Sequence, residues 1–299
     1  MSARIAFVGA DGALGARLVP ALGARGINLR CSALHAPSAP LDLSGAYVTI
    51  NAAGPRVRPG LGWVDYLREH VGTASIVAGA VRPGAHLVLI SSAAVYGSAR
   101  GAVDATTPPM PDSFPVPAYA WAKLAAEHAT RSICADRGVA LTILRPSIIY
   151  GSGAGGVLIT LRNLARRGMR AVLEPESTRQ HLLHLELFQR VLEQVATTSP
   201  PAHRATYVVA DPFVLTSADL NDAYRAAGPR SVPLVTPVGL VGEATRRWNR
   251  GPNRQVSGLV AVASMLALDN AYDWKTCLDA LGIDPEPYGR ARFDEFIRA

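Results

Sequence analysis

Short apolar runs that end in glycine or small polar residues alternate along the chain with longer segments whose apolar residues recur three to four apart. Residues 4 to 9, Arg-Ile-Ala-Phe-Val-Gly, read as a buried strand, and Leu14, Leu18 and Leu22 then mark one face of a helix. A second strand is predicted over Ile27 to Cys31 after a turn at Gly26, a third over Tyr47 to Asn51 and a fourth over His86 to Ile90. Between the last two, Trp63, Leu67, Val71, Ile76 and Val77 place a helix over 62–80, which Arg82-Pro83-Gly84 ends. The stretch from Pro117 is rich in alanine, leucine and glutamate and predicts another helix, followed by a strand from Ala140 to Leu144. Strands alternating with helices predict an α/β fold, a doubly wound parallel sheet.

From about residue 152 the helical signals lengthen, arginines accumulate, and proline and glycine interrupt the chain at 228–238 and 251–257. The expected organisation is therefore residues 1–151 as one domain and 152–299 as a smaller, mostly helical, substrate-binding domain. A last strand near Ala205 to Val209 returns to the sheet.

The first strand runs into Gly9-Ala-Asp-Gly12-Ala-Leu-Gly15 and a helix. Gly9 permits a tight turn, Gly12 lets backbone approach a pyrophosphate, and Gly15 lets helix pack on strand. The free N–H groups and positive dipole end of the helix favour phosphate. This makes 1–151 a dinucleotide-binding domain of the Rossmann kind. No acid follows the second strand, where Arg30 to His35 stand, so the choice between NAD and NADP is open. Ala52, Ala53 and Gly54 are small enough for a dinucleotide to lie across the third strand's end.

Tyr119 and Lys123 are four apart on the predicted helix and share a face. A nearby ammonium favours the phenolate, so Lys123 is expected to lower the Tyr119 pKa. A tyrosine tuned in this way moves protons to and from hydroxyl or carbonyl oxygens. The chain contains only two lysines, Lys123 and Lys275, against a background of arginine. Ser91 and Ser92 follow the fourth strand, and open α/β sheets bind ligands at that end.

Composition narrows the class further. At 299 residues, 49% hydrophobic and 18% charged, the chain is long enough for ample core. No apolar run reaches a membrane-spanning length, and the longest, Gly258 to Leu268, reads as a buried helix. Three scattered cysteines and no signal peptide predict a cytoplasmic protein with reduced thiols. The +7 net charge gathers at Arg162, Arg166, Arg167 and Arg170 and again at Arg246, Arg247, Arg250 and Arg254. Without a nucleic-acid motif, and with 6% aromatics, these fit a nucleotide-diphosphate substrate or solvated faces better than nucleic acid. His181 and His184 lack a third ligand, so no metal is expected.

Taken in order, GADGALG, LDL, VGT, ISSAAVYG, YAWAKLAAE and LRPSIIYG resemble the extended short-chain dehydrogenase/reductase family, its NAD-dependent epimerase/dehydratase group. The resemblance implies Tyr119 as catalytic acid/base and Lys123 on the nicotinamide ribose, with Ser92 on the substrate oxygen. It implies NAD or NADP held by Gly9, Gly12, Ala13, Leu14, Gly15, Asp42, Leu43, Ala52, Ala53, Gly54 and Pro146, together with Tyr119 and Lys123. Arg179 matches a position that contacts substrate phosphate. A homodimer through the helices at 62–80 and 118–137 is also implied. Relatives that dehydrate a sugar carry Asp-Glu after the catalytic hydroxyl; here Ala93 and Ala94 stand there, which disfavours dehydration. The expectation is thus a nucleotide-sugar 4-epimerase. The alternatives are an NAD(P)H-dependent ketone reductase and a non-catalytic cofactor sensor.

Overall fold

The computed structural model describes residues 5–29, 41–57, 60–154, 156–198, 205–228, 232–236, 265–266 and 268–299. The main elements in chain order are β1 (Ile5–Val8), α1 (Ala13–Ala21), β2 (Arg25–Ile27), β3 (Val48–Asn51), α2 (Trp63–Ala80), β4 (His86–Ile90) and α3 (Pro117–Arg137). They continue with β5 (Ala140–Pro146), α4 (Val157–Arg166), α5 (Leu185–Thr197), β6 (Ala205–Val209), α6 (Ser217–Ala227), α7 (Lys275–Leu281) and α8 (Arg290–Arg298). The six strands form one parallel sheet in the order β6-β5-β4-β3-β1-β2.

Strand side chains alternate between faces, and the two sets enter different cores. Phe7, Ile50, Val88, Ile90 and Leu144 pack with Leu18 of α1, with α5 and with Leu278 of α7. Ala6, Val8, Leu87, Leu89 and Ile143 pack with Ala74 and Val77 of α2 and Ala126 of α3. Helices therefore cover both faces of the sheet. A separate core joins α4, α6 and α8 through Leu158, Leu220, Tyr224, Phe293 and Phe296, around the fully buried Tyr150.

Gly26 lies inside β2 rather than in a turn before it, and β2 ends at Ile27. The reason is packing: a Cβ on Gly26 would stand 2.9 Å from that of Ala10, so this strand can lie against the β1–α1 turn only as glycine. Arg30 to His35, the arginines at 246–254 and most of the apolar run 258–268 fall outside the described residues.

His181 and Asp211 tie the sheet to the helical part. The His181 ring spends both nitrogens on backbone, Nε2 donating to the Asp211 carbonyl (2.6 Å) and Nδ1 accepting from the Tyr272 amide (2.8 Å). The His184 ring Nδ1 caps α5 by accepting from the Glu186 amide. Among the described residues no group of histidine, cysteine and acidic side chains is built to hold a metal ion.

The Asp211 carboxylate accepts from the His184 amide (2.8 Å). Burial pushes this carboxyl from 3.8 up to about 7, with the His184 amide and the Tyr150 hydroxyl pulling it back part of the way. Between those two values the unfolded chain has released a proton that the folded chain still holds, so folding weakens with rising pH. The stability in urea is expected to fall as pH rises from about 4 to about 7. Asp211→Asn is expected to flatten that part of the profile, and an unchanged slope in the variant would show that the carboxyl is not its source.

Candidate active site

The site is built where β4 stops. Its five buried residues leave the sheet at Ile90, and the strand end presents a carbonyl followed by two serines. Ser92 is extended (φ −160°) and caps the short 3-10 turn Ala93–Tyr96, its Oγ accepting the Ala94 amide at 3.1 Å. Across from it, α3 starts with Pro117, which needs no N–H partner in the first turn, and ends at Gly138, which takes the left-handed conformation at φ 63°. Tyr119 and Lys123 follow one turn apart. The Lys123 ammonium donates to the Ile90 carbonyl at 3.1 Å and lies 5.9 Å from the Tyr119 ring centroid. The structure thus brings Ser92, Tyr119 and Lys123 to one place from two segments.

The electrostatics differ from the expectation drawn from spacing. The Tyr119 ring is edge-on to Tyr66 (5.7 Å between centroids) and His70 (5.4 Å), with Phe114 at 6.3 Å. Burial in this aromatic pocket pushes the Tyr119 phenol up to about 12; a hydrogen bond with Ser92 opposes the rise and Tyr66 adds to it. Lys123 does not lower it. Its ammonium is directed to the Ile90 carbonyl, and it is itself driven down to about 8 by burial, against the opposing pull of Glu127. Desolvation therefore decides the direction, and Tyr119 rests as a protonated donor.

Glu127 and Arg145 are site residues that the sequence reading did not single out. Glu127 is one further turn along α3 and fully buried. Arg145 of β5 meets it in a two-pronged pair, Nε to Oε1 at 2.9 Å and Nη2 to Oε2 at 2.7 Å. The Ser91 hydroxyl donates to Oε1 (2.6 Å) and Arg131 to Oε2 (3.0 Å), while Arg145 Nη1 donates to the Tyr96 hydroxyl (2.6 Å). Burial alone would raise the Glu127 carboxyl; the hydrogen bonds and charge of Arg145, with Ser91 and Arg131, hold it below the usual range. One carboxylate thus fixes both ends of the turn that Ser92 caps, Ser91 directly and Tyr96 through Arg145. The available signal was a charged residue at i+4 from Lys123 on a buried helix face, and an arginine within an apolar strand.

The glycine turn fits a pyrophosphate. Gly9 has φ 98° and would clash as alanine, its Cβ 2.9 Å from the Ala53 nitrogen; Gly15 would place a Cβ 2.3 Å from the Gly9 carbonyl oxygen. The turn therefore sits directly against Ala52 and Ala53 at the end of β3. Gly12 begins α1 with no side-chain cap and no acid in the first turn. The amides of Ala13, Leu14 and Gly15 then point out of the helix without a carbonyl in the turn before them.

The remaining positions have partners within the chain. Leu43 is buried in the core beneath α2. Asp42 turns its carboxylate onto the amide and hydroxyl of Ser44, with Arg25 beside it. At Gly54 (φ 120°) the space a Cβ would fill is taken by the His70 ring. Pro146 closes β5 opposite Val209. Arg179 holds Asp269 through Nε and Nη2 (2.9 and 3.0 Å) and its own backbone amide. In the first arginine cluster, Arg162 and Arg166 donate to the Phe296 and Arg298 carbonyls, closing the end of α8.

Residues 48–186 match the sequence model of the NAD dependent epimerase/dehydratase family. A comparison with curated proteins finds no match. Among solved structures, the chain is similar to a UDP-glucuronic acid 4-epimerase from Bacillus cereus in complex with NAD, at 14% identity and a TM-score of 0.71, over 99% of this chain and 96% of that one. It is also similar to RMD from Pseudomonas aeruginosa complexed with NADPH, at 16% identity and a TM-score of 0.70, over 99% and 97% of the two chains. MoeE5 in complex with UDP-glucose and NAD is similar at 17% identity and a TM-score of 0.71, over 98% and 95%. At these identities the likeness concerns the fold.

Glu127→Gln would leave the Arg145 guanidinium buried without its counter-charge and is expected to cost about 3–5 kcal/mol in urea unfolding. Arg131→Ala removes a contact from a guanidinium that is 33% exposed, and should cost less than about 1 kcal/mol. Equal losses in the two variants would contradict the clamp.

Proposed function

We propose, from the match of residues 48–186 to the sequence model of the NAD dependent epimerase/dehydratase family, that this chain is an NAD(P)-dependent enzyme that inverts C4 of a nucleotide sugar. The observation that carries the reading is the meeting of Ser92, Tyr119 and Lys123 at the end of β4, with buried Ala93 and Ala94 beside Ser92 instead of a carboxyl pair. Similar folds that hold UDP-glucose with NAD, or act as a UDP-glucuronic acid 4-epimerase, support the substrate class.

A nicotinamide dinucleotide bound at the glycine turn supplies a reversible hydride acceptor. Its pyrophosphate would lie on the Ala13 and Leu14 amides, and its nicotinamide ribose against Lys123. The Ser92 Oγ is held by the Ala94 amide, and its hydroxyl would turn from Tyr119 to donate to the substrate's C4 oxygen. Tyr119 takes the proton of that oxygen when C4 is oxidised and returns it when C4 is reduced from the other face, so protons balance over a cycle. The resting phenol is protonated, and positive charge brought into the pocket is what makes it a base. No carboxylate stands beside Ser92 to expel a neighbouring hydroxyl. Residues after 151, built around α4, α6 and α8, would form the substrate-binding domain, with Arg179 meeting the substrate's phosphates by exchanging Asp269 for them.

The homodimer belongs to the same reading. Val64 (73% exposed), Trp63 and Leu67 on α2, with Trp121 on α3, leave an apolar surface on two helices that pack against each other.

Incubation with UDP-hexoses or UDP-hexuronic acids deuterated at C4 is expected to give the C4 epimer with the label retained and no net NAD(P)H. Tyr119→Phe should lower this rate by roughly 10²–10⁴-fold while dinucleotide still binds. Stoichiometric consumption of NADPH with a ketone would instead establish a reductase. Light scattering should give twice the chain mass, falling to one in Val64→Glu/Trp121→Glu; a monomeric parent protein would remove the dimer.

A further inference from the structure

His70 of α2 is 2% exposed, yet the sequence reading gave it no part. Its ring is stacked parallel to Tyr66 and edge-on to Tyr119, so its orientation is fixed by packing. The Nδ1 side of the ring lies against Gly54, and the Pro55 backbone next to it, which without an N–H can offer only its carbonyl, favours a proton on the ring. Among the described residues Nε2 is buried without a partner, while Nδ1 is the nitrogen on the Gly54 side. In the neutral tautomer with the proton on Nδ1, Nε2 is a buried lone pair.

That lone pair belongs to a ring lining a cavity of about 10 Å³, which Asn51, Ser91 and Lys123 also line. A space of this size admits about one water molecule. Lys123 has three N–H donors and gives one to Ile90, so donors remain for the cavity. We infer that His70 is a positioning residue for Lys123, its Nε2 accepting from the ammonium through a single water in this cavity. The acceptor lies on a different helix from Lys123, so it fixes the ammonium's direction as well as its charge.

Among the described residues, the polar groups near Lys123 are Glu127 and Tyr119 on its own helix, His70 from α2, Asn51 from β3, and the Ile90 carbonyl and Ser91 at the end of β4. Of these only Glu127 is charged, and Arg145 and Arg131 already neutralise it. The pull of Glu127 opposes burial, and a neutral acceptor within reach of the buried ammonium adds a hydrogen bond that favours its charged form. This rests on the reading of Lys123 as the ribose-binding cation, but its test does not require activity.

With only two lysines in the chain, ¹³C-lysine labelling gives two titrating signals, and Lys275→Arg assigns them. In the free wild-type protein the Lys123 signal is expected to titrate near about 8. His70→Phe keeps the ring stack and removes the acceptor, and should lower that midpoint by about one pH unit or more. His70→Gln supplies an amide oxygen and should restore most of it. An unchanged midpoint in the phenylalanine variant, or equal falls in both variants, overturns the role of His70 and leaves the epimerase reading standing. Should His70→Phe not fold, the imidazole nitrogen spectrum of the wild-type protein decides. Nδ1–H with an accepting Nε2 supports the inference, and Nε2–H overturns it.

Discussion

A carboxylate with no exposure to water, Glu127, is the constraint on which the site depends. Buried and unpaired it would be prohibitive; held by Arg145, Ser91 and Arg131 it becomes the point where α3, β5 and the end of β4 are joined. Removing a partner leaves an orphaned charge, so the three segments have little freedom to shift independently. Lys123 is one turn before Glu127 and Tyr119 one turn earlier still, so their placement over the Ile90 carbonyl and Ser92 follows from that junction. Preorganisation of this kind lets an active site hold donors where charge develops, with little rearrangement during reaction.

The α/β alternation was legible because strands buried on both faces read as short apolar runs and helices as 3.6-residue patterns. The glycine turn was legible because each glycine answers a backbone requirement; Gly9 and Gly15 would both collide with main chain as alanine. Gly26 shows the limit. It looked like a turn residue, but its role is a tertiary contact with Ala10, which no local pattern carries.

The site itself was half legible. The Tyr119–Lys123 spacing fixes a shared helix face, and that much survives folding. The direction of the tyrosine's pKa depends on Tyr66, His70 and Phe114, which reach it from α2 and from the loop before α3. Burial cannot be read from an i, i+4 spacing, and here burial decides the direction. Glu127 and Arg145 lie 18 residues apart in sequence, so their pairing emerges only when β5 lies beside β4. Arg179, expected to meet a substrate, has an internal partner in Asp269, 90 positions away.

The most direct test is a crystal structure of the protein with NAD or NADP. The predicted result is a dinucleotide across the ends of β1, β3 and β4, its pyrophosphate on the amides of Ala13 and Leu14 and a ribose hydroxyl on the Lys123 ammonium. A dinucleotide bound elsewhere, or one that leaves Lys123 and Tyr119 untouched, would contradict it.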